Sequence, residues 1–319
     1  MTTNIAASVR ARLLNRARTE GTEFQLFLDR YACERFLYRL GESEVRGRCI
    51  LKGASLLALW MDEPYRSTRD VDLLTFGDND EETVRYVMET IYKVSCPEDG
   101  IALDISTLKI SAIRDGQRYG GQRATLIAFL GNAKCNVQVD FGFGDVVIPG
   151  PEEARLPTLI DGVPTPFLRT YPQVSSIAEK FEAMVQLGTG NSRMKDFYDV
   201  WALSETFAFA GPELQEAVAR CFDRRGTPWS AETPEALTAA FYSNPQLQDY
   251  WTTYGHQGGL LNLPPSAFEE IGSRIQSFLG PVRDSILAGE PFDLHWPAGG
   301  PWEARRPLRG ADADRSALL

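Results

Sequence analysis

The chain has 319 residues, 43% of them hydrophobic and 24% charged, with a formal net charge of −10. That length supports one large domain or two ordinary ones, and no stretch approaches the roughly 20 apolar residues of a membrane span. Five cysteines without a CxxC, and only two histidines (His256 and His295), exclude an obvious zinc site or Ser-His-Asp triad and predict a reduced, cytoplasmic chain.

In chain order, residues 8–20 and 23–40 read as helices, the second with Phe24, Phe27, Leu28, Tyr31 and Leu37 as apolar positions. The first carries Arg10, Arg12, Arg16 and Arg18 where an export signal would be apolar, so no export is expected. Those arginines, like Arg305, Arg306 and Arg309 near the end, are either a solvated face or a local basic groove; net acidity argues against a general nucleic-acid coat. A short strand, 48–52, leads through Gly53 into a helical run at 55–60. Residues 71–76 form a strand, 77–80 a turn and N-cap, and 81–94 an amphipathic helix with Val84, Val87, Met88 and Ile91 on one face. Strands follow at 101–113, 122–130 and 136–143. The Pro- and Gly-rich stretch 149–172 reads as a domain connection, and helices dominate after it, at 175–187, 196–207 and 212–222. The expected fold is α+β: a domain over 1–165 with a central mixed sheet, a helical domain over 166–290, and a flexible tail over 291–319.

The chemistry begins at Arg66-Ser-Thr-Arg-Asp-Val-Asp72. Residues two apart on a strand share a face, so Asp70 and Asp72 project together while Val71 and Leu73 face the core. Two like charges held this close call for a cation between them. Mg²⁺ fits, since it prefers carboxylate oxygen and shares its shell with substrate phosphates. Asp140, opposite in face to Val137, Val139 and Phe141, becomes a third ligand if its strand neighbours that of Asp70; three acids could then hold two ions about 4 Å apart. The bland alternative pairs the acids with Arg66 and Arg69 as surface salt bridges.

Upstream, Lys52-Gly53-Ala54-Ser55-Leu56 supplies a strand end, a glycine, a hydroxyl and a helix start, suited to phosphate oxygens. Downstream, Ser176 and Glu179 have capping-box spacing. Lys180 lies within the apolar stripe of that helix, where it needs an anionic partner or must snorkel to water. Asp196 and Asp199 are three apart on the next helix, with Arg193 and Lys195 in its first turn, a placement the helix dipole disfavours unless an anion is near.

Taken together, the glycine-serine element and the acid pair resemble the nucleotidyltransferase superfamily that includes DNA polymerase β. The four segments in order, Lys52–Leu56, Arg66–Asp72, Glu179–Ala183 and Arg193–Asp199, resemble the AbiEii/AbiGii family of nucleotidyltransferase toxins, also called MenT-like, over about residues 20–205. Ala54 departs from the second glycine common there. The resemblance implies a polymerase β-like domain in which Lys52, Gly53, Ser55, Arg66, Thr68, Arg193 and Lys195 serve the nucleotide and Asp70 and Asp72 bind Mg²⁺. In it, Lys180 contacts phosphates and Asp196 or Asp199 completes the site. It further implies an NTP substrate, transfer of NMP to an acceptor such as the 3′ end of tRNA, and a cognate antitoxin encoded nearby. Nucleotidylation of a protein or small molecule, or NTP binding without turnover, are the other readings.

Overall fold

The computed structural model describes residues 4–61, 70–113, 120–256 and 267–304. Two helices come first, α1 (Ile5–Thr19) and α2 (Phe24–Gly41), then β1 (Cys49–Lys52), the short α3 (Leu57–Trp60), β2 (Asp70–Thr75) and α4 (Glu81–Tyr92). Three long strands follow, β3 (Ile101–Ile113), β4 (Gly121–Leu130) and β5 (Ala133–Phe143), then the pair β6 (Glu152–Arg155) and β7 (Phe167–Thr170). The remainder is mostly helical: α5 (Gln173–Leu187), α6 (Met194–Thr206), β8 (Phe209–Ala210), α7 (Gly211–Arg225), α8 (Ala239–Tyr242), α9 (Pro245–His256) and α10 (Phe268–Ala288), closed by β9 (Leu294–Trp296) and β10 (Glu303–Ala304).

Among the described residues, seven strands form one sheet in the order β3-β4-β5-β2-β1-β7-β6. It is mixed: β2 runs parallel to β5, and β1 parallel to β7, while the other neighbours are antiparallel. One sheet face is apolar, with Leu51, Val71, Leu73, Val139, Phe141 and Ala124 all buried. It packs against α2, which buries Phe27, Tyr31 and Phe36 completely. The other face carries the alternate, polar residues and is the one the site occupies. A second core lies among the helices, built on Phe181, Phe197, Phe222, Phe241 and Phe278. Both the mixed sheet and the helical second half were expected.

Three expectations need correction. The Pro- and Gly-rich stretch 149–172 is not a linker: β6 and β7 lie in it and extend the sheet, with Leu168 and Thr170 buried. The expected boundary after residue 165 therefore falls inside the β6–β7 hairpin. The tail assigned to 291–319 is structured as far as Ala304, because β9 pairs with both β8 and β10 and Trp296 is fully buried; its indole Nε1 donates to the Ser204 carbonyl at 2.8 Å. Periodicity cannot reveal strands of two or three residues, since the pattern is too short. Finally, Ser176 is not an N-cap. α5 begins at Gln173, and Ser176 sits buried inside it. Of the N-terminal arginines, Arg12 and Arg16 donate to the carbonyls of Asp161 and Leu159, which ties α1 to the loop before β7.

Candidate active site

The sheet's polar face, one side of α5, the start of α6 and the end of α7 border a cavity of about 240 Å³. Its walls include Lys52, Gly53, Asp72 and Asp140 from the sheet, and Lys180, Arg193, Lys195 and Asp196 from α5 and α6. Eight of the site residues expected from the sequence therefore converge, although they come from segments up to 144 positions apart.

The acids sit as strand alternation requires. β2 pairs with β5 so that Asp72 lies beside Asp140, and Asp70 beside Gln138. Burial, with the neighbouring charges of Asp140 and Asp70, pushes the Asp72 carboxyl above its ordinary value, against the opposing pull of Lys52 and Lys195. Such crowding is what a bound cation would relieve. Asp70 is half-buried at the start of β2 and is not part of the cavity wall. Asp140 is gripped by Arg123, whose Nε and Nη2 donate to its two oxygens at 2.8 and 2.7 Å. No group of three or more His, Cys, Asp or Glu side chains is placed to hold a metal among the described residues. Of the three acids expected there, Asp72 and Asp140 stand side by side on neighbouring strands, with Asp140 held by Arg123 and Asp70 off the cavity wall. Asp72, crowded by like charge and open to the cavity, is the donor that fits a divalent cation, with Asp70 beside it.

Gly53 has φ +73°, and a Cβ there would stand 2.1 Å from Asp72 Oδ2. The glycine is thus demanded by the close approach of the acid as well as by its backbone. Gly53→Ala should cost about 1–2 kcal/mol in backbone strain. It should also lower activity on the order of 10²-fold by displacing Asp72; a melting curve and a rate on the same preparation would show the larger effect on rate. Ser55 lies half-buried in the tight turn 53–56, next to the cavity-lining Gly53 and Ala54 but not itself in the wall. Arg66 and Thr68 lie outside the described residues.

Lys180 is not a snorkelling lysine. Its Nζ bonds Asp196 Oδ1 at 3.0 Å and Asp199 Oδ2 at 2.8 Å, with both carboxylates 98–99% buried and Lys180 itself 15% exposed. Arg193 adds a 2.9 Å contact to Asp196. Burial alone would raise Asp196, but the charges of Lys180 and Arg193 outweigh it and hold the carboxyl below its usual range. Asp199 faces this pair rather than the cavity. Lys195 is exposed at the cavity rim.

A second ion network, not anticipated from sequence, joins sheet to helices. Lys52 Nζ lies 2.8 Å from Asp145 and 3.1 Å from Glu179. Arg225 at the end of α7 reaches Asp145 and Glu179 at 3.2 Å each and Glu182 at 2.9 Å. Burial opposes the charge on Lys52, yet Glu179 and Asp145 hold its pKa above the ordinary lysine value. Lys52 thus lines the cavity while paired to protein carboxylates. The only hint in the sequence is the acid at Asp145, just past the strand that carries Asp140; nothing in the run around Arg225 signals its partners.

A mixed α+β scaffold brings Asp72 and Asp140 together with Lys180, Arg193 and Lys195 at one cleft, a set of side chains suited to group transfer on phosphorylated substrates. Residues 35–273, three quarters of the chain, match the family described as nucleotidyl transferase AbiEii toxin, Type IV TA system, and the chain belongs to that family. It is a nucleotidyltransferase toxin of a type IV toxin–antitoxin system, which implies a nucleotide substrate and a cognate antitoxin. Two solved structures from Helicobacter pylori are similar in fold: a candidate nucleotidyltransferase (13% identity, TM-score 0.46, covering 84% of this chain and 99% of that one) and JHP933 (13%, 0.45, 84% and 95%). No curated protein matches the chain significantly. Among the described residues, no helix is long and apolar enough to cross a membrane.

Proposed function

We propose that the chain transfers NMP from an NTP to the 3′-hydroxyl of tRNA in a Mg²⁺-dependent reaction on a polymerase β-like domain, and so blocks translation. The observation that carries this reading is the convergence of Asp72 with Lys180, Arg193 and Lys195 on one cavity. Asp70 and Asp72 would hold the cation. Mg²⁺ there would activate the attacking hydroxyl and neutralise charge on the phosphates. Arg193 and Lys195, at the cavity wall and rim, meet the triphosphate. Lys180 keeps Asp196 ionised and fixed, and its remaining positive field faces the same space. The 3′-hydroxyl would release its proton to solvent water as its oxygen bonds the α-phosphorus, while the bond from that phosphorus to the bridging oxygen breaks and pyrophosphate leaves.

The net charge of −10 favours a second reading, transfer to a protein or small-molecule hydroxyl, because RNA contacts draw on Lys and Arg. One experiment separates them. Purified protein is incubated with α-labelled NTPs and Mg²⁺, with total tRNA or with protein alone. Label at the tRNA 3′ end, lost on chelation and in Asp72→Asn, is the expected result. Label only on protein supports the second reading, and tight NTP binding with no pyrophosphate released would mean a binder without turnover.

A further inference from the structure

Four charged side chains cross the polar face of the sheet in one row. Lys52 on β1 is the register partner of Asp72 on β2, Asp72 that of Asp140 on β5, and Asp140 that of Arg123 on β4. Their sequence neighbours Leu51, Leu73, Val139, Phe141 and Ala124 are buried on the other face, so all four share the side that bounds the cavity. Register partners on one face stand about 4.5–5.5 Å apart at Cβ across antiparallel strands, and neighbouring strands of either sense lie about 4.8 Å apart. The row therefore reads cation, anion, anion, cation, with two carboxylates adjacent at its centre.

The two ends differ. Lys52 is held from behind by Asp145 and Glu179 and has 16% of its side chain exposed. Arg123 grips both oxygens of Asp140 in a two-pronged fork and is 40% exposed. A fork of this kind fixes a carboxylate's orientation as well as its charge. A divalent cation held at Asp72 would also meet the adjacent Asp140 and lie within a few ångströms of that guanidinium, which repels it. The pair is partly exposed, 40% at Arg123 and 18% at Asp140, so solvent screens it in part and lowers the cost of parting it. A bound triphosphate supplies the negative charge that offsets a displaced guanidinium.

We infer that Arg123 is a positioning residue that holds Asp140 in the nucleotide-free protein and opposes cation binding there, so that the metal enters with the nucleotide rather than before it. This rests on the metal-dependent reading above and adds a residue and an order of binding to it. Arg123 was not visible as a candidate in the sequence, because only strand register reveals that it faces Asp140.

The test is Mn²⁺ binding to nucleotide-free protein, followed by the resonance of free Mn²⁺, which reads the site without turnover. Arg123→Gln should bind Mn²⁺ about tenfold more tightly than wild type. Arg123→Lys, which keeps the charge, should bind as weakly as wild type, and adding Asp140→Asn to Arg123→Gln should abolish the gain. Affinity unchanged in Arg123→Gln, or a gain that survives loss of Asp140 or appears equally in Arg123→Lys, would overturn the inference. A wild-type protein that shows this pattern yet transfers no nucleotide would sink the functional reading and leave the role of Arg123 standing.

Discussion

Asp72→Asn should lose nucleotidyl transfer by at least on the order of 10²–10³-fold, the scale on which a single charge-stabilising group is felt, while its folded state becomes no less stable. The second half of that statement is the discriminating one. Asp72 is pushed above the ordinary carboxylate value by burial and by two neighbouring acids, so the folded chain binds its proton more tightly than the unfolded chain does. Stability from this group is then full at low pH and falls as pH rises from the unfolded pKa through the raised folded one. Asparagine removes the repulsion at neutral pH, so the melting temperature should hold steady or rise. Paired melting curves and incorporation assays at neutral pH check both. A variant that melts well below wild type, or keeps its activity, would contradict the placement of Asp72 as a crowded acid at the reaction centre.

Lys180→Met should behave in the opposite way. It leaves two carboxylates that are 98–99% buried without the ammonium that bridges them, and breaking a buried pair from one side costs about 3–5 kcal/mol. Part of that loss should return when Asp199→Asn is added, because the double variant no longer buries an uncompensated charge. The pH dependence differs in sign from that of Asp72. Asp196 is held below its usual range, so its stabilisation is present above the unfolded pKa and disappears as pH falls through the lowered one. In the Lys180→Met protein that acid sensitivity should shrink. Denaturant unfolding at several pH values measures it. Full stability in Lys180→Met would show that Arg193 and the surrounding polar groups suffice.

Both predictions depend on contacts between parts of the chain that local patterning does not connect. The alternation in 70–76 and 136–143 fixes which side Asp70, Asp72 and Asp140 take, and the helices at 81–94 and 175–187 are legible from their apolar stripes. The motif order alone was enough to indicate the family. Legibility ends where a residue's partner lies on another element. Lys180 reads equally as a phosphate ligand or a snorkelling side chain, and the structure gives it Asp196 and Asp199 instead. Lys52 reads as a nucleotide ligand and proves to be tied to Asp145 and Glu179. Gly53 reads as room for a phosphate, yet the atom pressed against it is Asp72 Oδ2.

The sequence by itself determined the α+β class, the long elements and the acidic, histidine-poor chemistry, since each follows from composition or from a period of two or 3.6 residues within a single segment. Only the tertiary structure decided that β6 and β7 join the sheet, that Trp296 closes the second core, and that Arg123, Asp145 and Arg225 belong beside the cleft. Those outcomes depend on strand register and helix docking, which bring together side chains distant in sequence, and a charge carries no local mark of the partner it will meet.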